Sequence, residues 1–311
     1  MRISTNMTYH DFLTNLGTNA TNVQKTLNQL STLKEVSKSS DNPLLVSKIM
    51  NLNVSLGQND TYAQEIKDGI SWSNTQDGAL ASAKQSLDHI RDLLQNSANA
   101  TTGPDEVRAN KNEIQQEIQA IVESLNTNFD GRYIFAGKNT TTAPFSVIKK
   151  DDEVIGIQYN GTKENLPRQI ADNVQVDLVT NGDKLLTIDG NKEKNLNRFF
   201  NEVIGQLTDY IASSSEEDKQ KFGTDFLNDI DEFASNFVNV RTQVGTIANR
   251  LKAASDRSDT EKLNLTQALS ERQDVDVAEK YMEYQNQMLA YQTTMAMGSK
   301  IMQTSILDYV R

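Results

Sequence analysis

Residues 225–251 read DFLNDIDEFASNFVNVRTQVGTIANRL, and this stretch decides the fold class. Its large apolar side chains recur at alternating spacings of four and three residues without interruption: Phe226, Ile230, Phe233, Phe237, Val240, Val244, Ile247 and Leu251. Side chains at this period fall on one side of an α-helix, where they can pack against a second helix as in a coiled coil. The stretch therefore predicts a long helix with one buried seam, and the chain must supply a helical partner for it.

The N-terminal half of the chain predicts two such partner helices. The SDNP sequence at residues 40–43 places capping side chains before a proline, and the TGPDE sequence at residues 102–106 reads as a second turn and helix start. The first helix carries Leu45, Ile49, Leu52, Leu56, Ala63, Ile66, Ile70, Leu80, Leu87 and Leu94. The second carries Val107, Ile114, Ile118, Ile121, Leu125 and Phe129. The turn between them predicts an antiparallel pair.

Each end of the chain predicts a further helix, and both terminal helices are poor in charge. Lys25 is the one ionised residue between Phe12 and Ser31, and from Tyr284 onward the charged residues are Lys300, Asp308 and Arg311. Solvated helices normally carry charges on their outer face, so these two helices are suited to contact several neighbours. The N-terminal seam consists of Leu13, Leu16, Ala20, Val23, Leu27 and Leu30, and the C-terminal stripe of Val277, Tyr281, Tyr284, Met288, Tyr291, Met295 and Met302.

We expect most of these side chains to bind partner subunits. The predicted assembly residues are Leu13, Leu16, Val23, Leu27, Leu30, Tyr281, Tyr284, Met288, Tyr291, Met295 and Met302. Methionine-rich helical faces occur in plain cores and also at adaptable binding surfaces. The uncharged polar residues around the stripe favour the second interpretation here.

The middle of the chain changes from helical to strand periodicity after Gly131. Residues 154–159 form a short apolar run, and residues 174–178 alternate between apolar and polar side chains. The turn dipeptides Asn160-Gly161, Asn181-Gly182 and Asp189-Gly190 predict left-handed backbone geometry. The sequence thus predicts a small inserted β domain.

The predicted fold is mainly α, an elongated antiparallel helical bundle or coiled coil formed by the N- and C-terminal halves, with a small inserted β domain. The predicted boundaries place a terminal helix at residues 1–42, which pairs with the C-terminal helix at residues 271–311. The helical rod takes residues 43–132 from the N-terminal half and residues 193–270 from the C-terminal half. The β domain takes residues 133–192.

Composition argues against several classes of partner. The 311-residue chain carries a net charge of −11, whereas nucleic-acid binding depends on clustered lysine and arginine. No stretch approaches the roughly 20 apolar residues of a membrane-spanning helix. The first ten residues lack the apolar core of a secretory signal, so we expect no classical export. The sequence predicts no nucleic-acid partner and no membrane insertion.

The sequence also predicts no enzyme, no cofactor and no metal site. Cysteine is absent, and the two histidines, His10 and His89, lie in polar segments where surface roles are expected. Residues 225–232 come closest to a calcium loop, but they lack the glycine of its sharp turn. No glycine-rich phosphate-binding loop occurs.

Both ends of the chain resemble the flagellin superfamily. The resemblance rests on MRISTNM at residues 1–7, SDNP at residues 40–43, VRTQVGTIANRL at residues 240–251 and VDVAE at residues 275–279. GRYIFAG at residues 131–137, PF at residues 144–145 and SILDYV at residues 305–310 are similar to the hook-associated members more than to flagellin itself. The STLK sequence at residues 31–34 departs from the family, whose members commonly have a glycine before the basic residue.

This resemblance implies a structural subunit of the bacterial flagellum that joins the hook to the filament. It implies export in an unfolded state through the flagellar type III apparatus, with an uncleaved N-terminal signal and a cytoplasmic chaperone bound to the C-terminal helix. The implied partners are another hook-associated protein, flagellin and copies of the chain itself in a ring. The implied location is extracellular, at the hook–filament junction, after a transient cytoplasmic stage.

Three alternatives remain open at this point. A filament flagellin is the nearest alternative, and polymerisation of purified subunits into long filaments would distinguish it. A coiled-coil surface adhesin also has heptads and small β modules, although such proteins usually carry a secretory signal and a membrane anchor. An enzyme is the remote third, because the helices offer no constellation of catalytic groups.

Overall fold

The computed structural model describes residues 5–150, 153–188, 194–213 and 221–307, with side chains described between residues 7 and 300 of those ranges. The helices are α1 (Thr5–Thr32), α2 (Pro43–Ala98), α3 (Pro104–Leu125), the short α4 (Asp183–Leu186), α5 (Leu196–Ser213), α6 (Asp225–Gln273) and α7 (Val277–Leu307). The strands are β1 (Asn128–Phe129), β2 (Arg132–Tyr133), β3 (Phe145–Lys150), β4 (Glu153–Tyr159), β5 (Leu166–Ala171) and β6 (Val174–Leu178). The prediction of a mainly α chain with a small inserted β region is confirmed.

The chain divides into two compact units. The terminal unit comprises Met1–Asp60 and Thr260–Arg311, and the central unit comprises Thr61–Asp259. The long helices α2 and α6 each contribute residues to both units. The five-segment division derived from the sequence stays a prediction.

The central unit holds the hydrophobic core, and the seam of α6 is part of it. Seven of the eight predicted seam residues are buried, and Ile247 is half-buried. One continuous cluster joins them to buried side chains of α2, α3, α5 and the β region. The ring of Phe199 on α5 packs edge-on against Phe226, with centroids 6.0 Å apart, and also contacts Phe233. Burial of large side chains at this period is what keeps α6 helical over its central part.

Two ion pairs show that α2 and α6 run antiparallel in the central unit. The guanidinium of Arg241 binds Asp77, with Nη2 2.9 Å from Oδ2, and Arg91 Nε lies 2.6 Å from Asp231 Oδ1. The hydrogen bond from Arg241 holds the pKa of Asp77 below its usual value. Partly exposed pairs of this kind add little stability, and here they serve to show the direction of the two helices. The predicted pairing of the N- and C-terminal halves is thus confirmed.

The described part of the β region forms three two-stranded antiparallel sheets, β1–β2, β3–β4 and β5–β6. Asp130 and Gly131, with φ of 51° and 76°, form the two-residue turn between β1 and β2, as the primed turns of tight hairpins require. Asn173, with φ of 56°, takes the corresponding position between β5 and β6.

The left-handed geometry predicted at two of the turn dipeptides is wrong. Gly182 has φ of −72°, and Gly161 also lies outside the positive-φ region. These glycines make room for aromatic rings, because a Cβ on Gly161 would meet Tyr159 and one on Gly182 would meet Phe145. The third dipeptide, Asp189-Gly190, lies outside the described residues.

A buried glutamine anchors the β region to α2. The side-chain amide of Gln76 donates hydrogen bonds to the carbonyl oxygens of Ile134, at 3.1 Å, and Val179, at 2.6 Å. Both carbonyls lie at strand ends, where a sheet of two strands leaves backbone groups unpaired. One side chain, Gln76, thereby satisfies backbone carbonyl groups in two segments of the β region.

Candidate assembly interface

The terminal unit is built on the antiparallel pair of α1 and α7. Asn19 Nδ2 donates to Thr294 Oγ1 at 2.9 Å, and Thr26 Oγ1 donates to Gln287 Oε1 at 2.7 Å. Thr26 is 2% exposed, so its hydroxyl has to be bonded within the protein. The polar contacts lie seven residues apart on each helix and therefore repeat along one face.

The facing stripes of the two helices mix apolar and polar residues at coiled-coil spacing. The stripe of α1 runs through Phe12, Leu16, Asn19, Val23, Thr26 and Leu30, and that of α7 through Lys280, Tyr284, Gln287, Tyr291, Thr294 and Gly298. All twelve side chains or glycine positions are buried or half-buried. The apolar seam predicted for α1 shares Leu16, Val23 and Leu30 with this stripe. Ala20 and the remaining two leucines of the predicted seam lie exposed beside it.

The predicted assembly residues divide into two groups. Leu16, Val23, Leu30, Tyr284, Met288 and Tyr291 are half-buried, and Leu13, Leu27, Tyr281 and Met295 are exposed. Met302 belongs to α7, but its side chain lies outside the described residues. Five residues of the first group lie on the facing stripes, and Met288 lies next to Gln287 of the α7 stripe. The side chains of the second group are uncovered in the chain. Their role in binding partners stays a prediction.

A strained joint follows the end of α1. Leu33 adopts a φ of 55°, and its carbonyl oxygen accepts a hydrogen bond from Val275 N at 3.2 Å. Glu35 N donates to the carbonyl oxygen of Gln273 at 2.8 Å, so the joint pairs with the break between α6 and α7. This pairing lies where α1 ends and α7 begins.

An ion cluster stands beside the joint. Lys280 Nζ lies 3.2 Å from Glu35 Oε1 and 3.1 Å from Glu283 Oε2. Burial works to lower the pKa of Lys280, but the hydrogen bonds to the two carboxylates outweigh it and raise the pKa. Lys280 is thus held charged between Glu35, which follows the end of α1, and Glu283 in the first turns of α7.

The terminal unit exposes apolar side chains and buries few. Among the described residues, seventeen large hydrophobic side chains are exposed, and fifteen of them lie in the terminal unit. Of the described hydrophobic side chains of this unit, Ile49 alone is buried. Such a concentration of uncovered apolar surface marks an interaction site in a soluble protein.

Sequence reasoning missed the polar members of the facing stripes, Asn19, Thr26, Gln287 and Thr294, and also Gly298. A seam of apolar residues alone lies one position away from the contact stripe at three places on α1. The contact stripe could have been predicted from the three-four spacing, because this spacing continues unbroken when threonine, asparagine and glutamine are counted as seam residues.

His89 lies among carboxylates on the surface of the central unit. His89 is exposed on α2, where Nδ1 lies 3.0 Å from Glu117 Oε1 and Nε2 lies 3.6 Å from Glu113 Oε1. Across the described ranges no three histidine, aspartate or glutamate side chains are grouped as a metal site would need. Within the same ranges no helix combines the length and apolar character needed to cross a bilayer.

Comparison with known proteins identifies the family. Residues 3–140 match the model of the bacterial flagellin N-terminal helical region, and residues 227–310 match that of the C-terminal helical region. Together these matches cover most of the chain and include α1, α2, α3 and α7 almost completely. The chain therefore belongs to the flagellin superfamily of structural flagellar proteins.

Relatives within the superfamily refine this assignment. The chain is 26% identical to flagellar hook-associated protein 3 of Escherichia coli over 94% of its own length and 95% of that protein. It is 24% identical to flagellin of Bacillus subtilis, with coverage of 96% and 95%. A hook-associated protein from Vibrio parahaemolyticus shares the fold, with a TM-score of 0.65, 22% identity, and coverage of 75% of this chain and all of that one. The chain is a structural flagellar protein of the hook-associated protein 3 type.

Proposed function

We propose that the chain is the junction subunit that joins the flagellar hook to the filament. One observation carries the proposal: among the described side chains of the terminal unit, fifteen large hydrophobic ones are exposed and one hydrophobic one is buried. A unit with so little buried surface gains its stability when other subunits cover it. The helices α1 and α7 are then the assembly elements, and their charge-poor faces suit neighbours of the same kind.

The partners in this proposal are another hook-associated protein on the hook side, flagellin on the filament side and copies of the chain in a ring. Leu13, Leu27, Tyr281 and Met295, which the intrachain pair leaves exposed, contact those neighbours. Leu16, Val23, Leu30, Tyr284, Met288 and Tyr291 contribute from the edges of the pair, and Met302 extends the stripe. The structural role of the superfamily supports a subunit without enzymatic activity.

The proposal includes export of the unfolded chain and a cytoplasmic chaperone at α7. Exposed Tyr281 and Met295 offer a chaperone an apolar stripe before assembly, and the same side chains become covered afterwards. The mature location is extracellular, at the hook–filament junction, after a transient cytoplasmic stage.

A filament flagellin remains the second candidate, since the similarity to Bacillus subtilis flagellin spans nearly the whole chain. Membership of the flagellin superfamily favours both flagellar roles over a surface adhesin. Antibody labelling of intact flagella separates the two. A single spot at the hook–filament boundary is expected for a junction subunit, whereas staining along the filament would overturn the proposal in favour of flagellin.

A further inference from the structure

The contact between Phe12 and Gly298 stands out in the α1–α7 pair. Gly298 is buried, and a Cβ placed on it would lie 2.1 Å from Cζ of Phe12 and 2.5 Å from Cε2. The aromatic ring therefore occupies the space that any larger residue would fill. Phe12 is the one phenylalanine of α1, and Gly298 is the one glycine of α7. The ring of Phe12 thus acts as the knob, and the space at Gly298 is the hole into which it packs.

The polar contacts cannot select the alignment of the helices by themselves. Asn19 and Thr26 are seven residues apart, and so are Lys280, Gln287 and Thr294. A shift of α7 by one heptad, about 10 Å along the axis, would again place polar side chains opposite one another. The polar stripe fixes which faces meet, but it is compatible with more than one register.

The Phe12–Gly298 contact distinguishes the observed register from one of the two neighbouring heptad registers. A shift of seven residues in one direction would bring Tyr291 opposite Phe12, and two large rings would then compete for the space that glycine leaves open. We propose that Phe12 and Gly298 set the register of the α1–α7 pair and are the specificity-determining residues of this interface. The proposal rests on the assembly role of the terminal helices, because a fixed register fixes the pattern of exposed apolar side chains that neighbouring subunits meet.

Disulfide trapping in the full chain tests the proposal, because the chain has no cysteine of its own. The matched pair combines Asn19→Cys with Thr294→Cys, whose native side chains are in hydrogen-bond contact. The slipped control pair combines Asn19→Cys with Gln287→Cys, one heptad away on the same face. A disulfide needs Cα atoms within roughly 7 Å, so each pair reports one register, and trapping at low protein concentration captures even a transient pair within one chain.

We expect the matched pair to close at least about tenfold faster than the slipped pair in a chain with Phe12 and Gly298. Gly298→Ala expels the ring and Phe12→Ala removes it, so each should bring the two closure rates close to equality. The double variant should have no larger effect than either single variant, as expected for two residues that act through one contact.

Equal or absent closure of both pairs in the chain with Phe12 and Gly298 would overturn the proposal, as would a preference that survives Gly298→Ala and Phe12→Ala. The result is independent of where the protein is located. A register set by this contact would persist in a filament subunit, and a correctly located junction subunit could still lack it.

Discussion

At the scale of single residues, Leu33 has a backbone conformation that its side chain disfavours. Its φ of 55° lies in the left-handed region, at the first position after α1, where helices commonly place glycine. The side chain is 54% exposed, so little packing compensates for the strain. The backbone at Leu33 thus adopts a conformation that a glycine would favour.

Replacing Leu33 with glycine should therefore stabilise the joint. Removing the Cβ relieves about 1–2 kcal/mol of left-handed strain. The added freedom of glycine in the unfolded chain offsets about 0.5–1 kcal/mol of that gain. The net gain should slow exchange of the Val275 amide, which donates to Leu33, by about two- to fivefold. Leu33→Ala is the control, because it keeps the Cβ and should gain nothing. Faster exchange in the glycine variant would contradict this account.

His89 provides a pH-dependent contribution to the stability of the central unit. Its hydrogen bond to Glu117 raises its pKa above the usual 6.5, against a smaller opposing effect of burial, and Glu113 and Asp92 add to the increase. A raised folded-state pKa stabilises the fold fully below the unfolded pKa, and the contribution is lost as pH rises through the folded value. We expect a small effect, because the imidazole is nearly half exposed.

Urea unfolding between about pH 5.5 and pH 8.5 measures this contribution against the variants His89→Gln and Glu117→Gln. The unmodified chain should lose stability relative to His89→Gln as pH rises above about 6.5. Glu117→Gln should remove most of that difference. If the free energy of unfolding of the unmodified chain increased relative to that of His89→Gln as pH rises, the sign would be wrong and the assignment would be refuted.

At the scale of elements, α6 shows how far periodicity alone can predict structure. Seven of its eight seam residues from Phe226 to Leu251 are buried as predicted, because a large apolar side chain at every turn leaves one face that can enter the core. α1 was predicted as a helix, but its contact face was misplaced by one residue. Polar residues such as Thr26 occupy seam positions there, and the burial of a hydroxyl depends on a partner, Gln287, that lies more than 250 residues away.

Short-range turn chemistry was predicted wrongly at both dipeptides that the structure describes, and the left-handed turn at Asp130-Gly131 was not predicted. Asn-Gly and Asp-Gly dipeptides can form primed turns, but two strands must already converge on them. Asp130-Gly131 meets that condition between β1 and β2. Asn160-Gly161 follows the end of β4, where the ring of Tyr159 takes the space beside the glycine. The sequence carries both dipeptides, and tertiary packing decides which of them turns left-handed.

The seam of α6 gives a prediction with an internal control. Phe237 is 1% exposed, so Phe237→Ala should lower the free energy of unfolding of the central unit by about 3–5 kcal/mol through lost burial and a cavity. The adjacent Val238 is 42% exposed, and Val238→Ala should change the stability by less than about 0.5 kcal/mol. Urea unfolding followed by the fluorescence of Trp72, the single tryptophan and itself buried in this unit, measures both. Similar losses in the free energy of unfolding for the two variants would show that the α6 seam is not part of the core.

At the scale of the whole molecule, the distribution of apolar side chains indicates that the central and terminal units differ in stability. The central unit contains the continuous core, to which α2, α3, α5 and α6 all contribute buried side chains. The terminal unit relies on the mixed stripe between α1 and α7, on the joint at Leu33 and on the Lys280 ion cluster. Net hydrogen bonds contribute about 0.5–1.5 kcal/mol each, whereas ordering a residue costs about 1–2 kcal/mol of backbone entropy. The terminal unit should therefore open far more readily than the central one.

Amide hydrogen exchange on the free, full-length chain tests this difference directly. Amides of α3, α5 and the part of α6 in the central unit should exchange more than about a thousandfold more slowly than those of α1 and α7, because opening free energies follow buried apolar contacts. In assembled flagellar structures α1 and α7 should become strongly protected, since neighbouring subunits then cover Leu13, Leu27, Tyr281 and Met295. The matched control is Leu13→Ser combined with Leu27→Ser. Both side chains are exposed in the isolated chain, so exchange in the free chain should change little while the protection gained on assembly falls. Protection of α1 and α7 equal to that of the central core in the free chain would mean that the terminal unit is stable without partners, and the physical argument for assembly through these helices would fail.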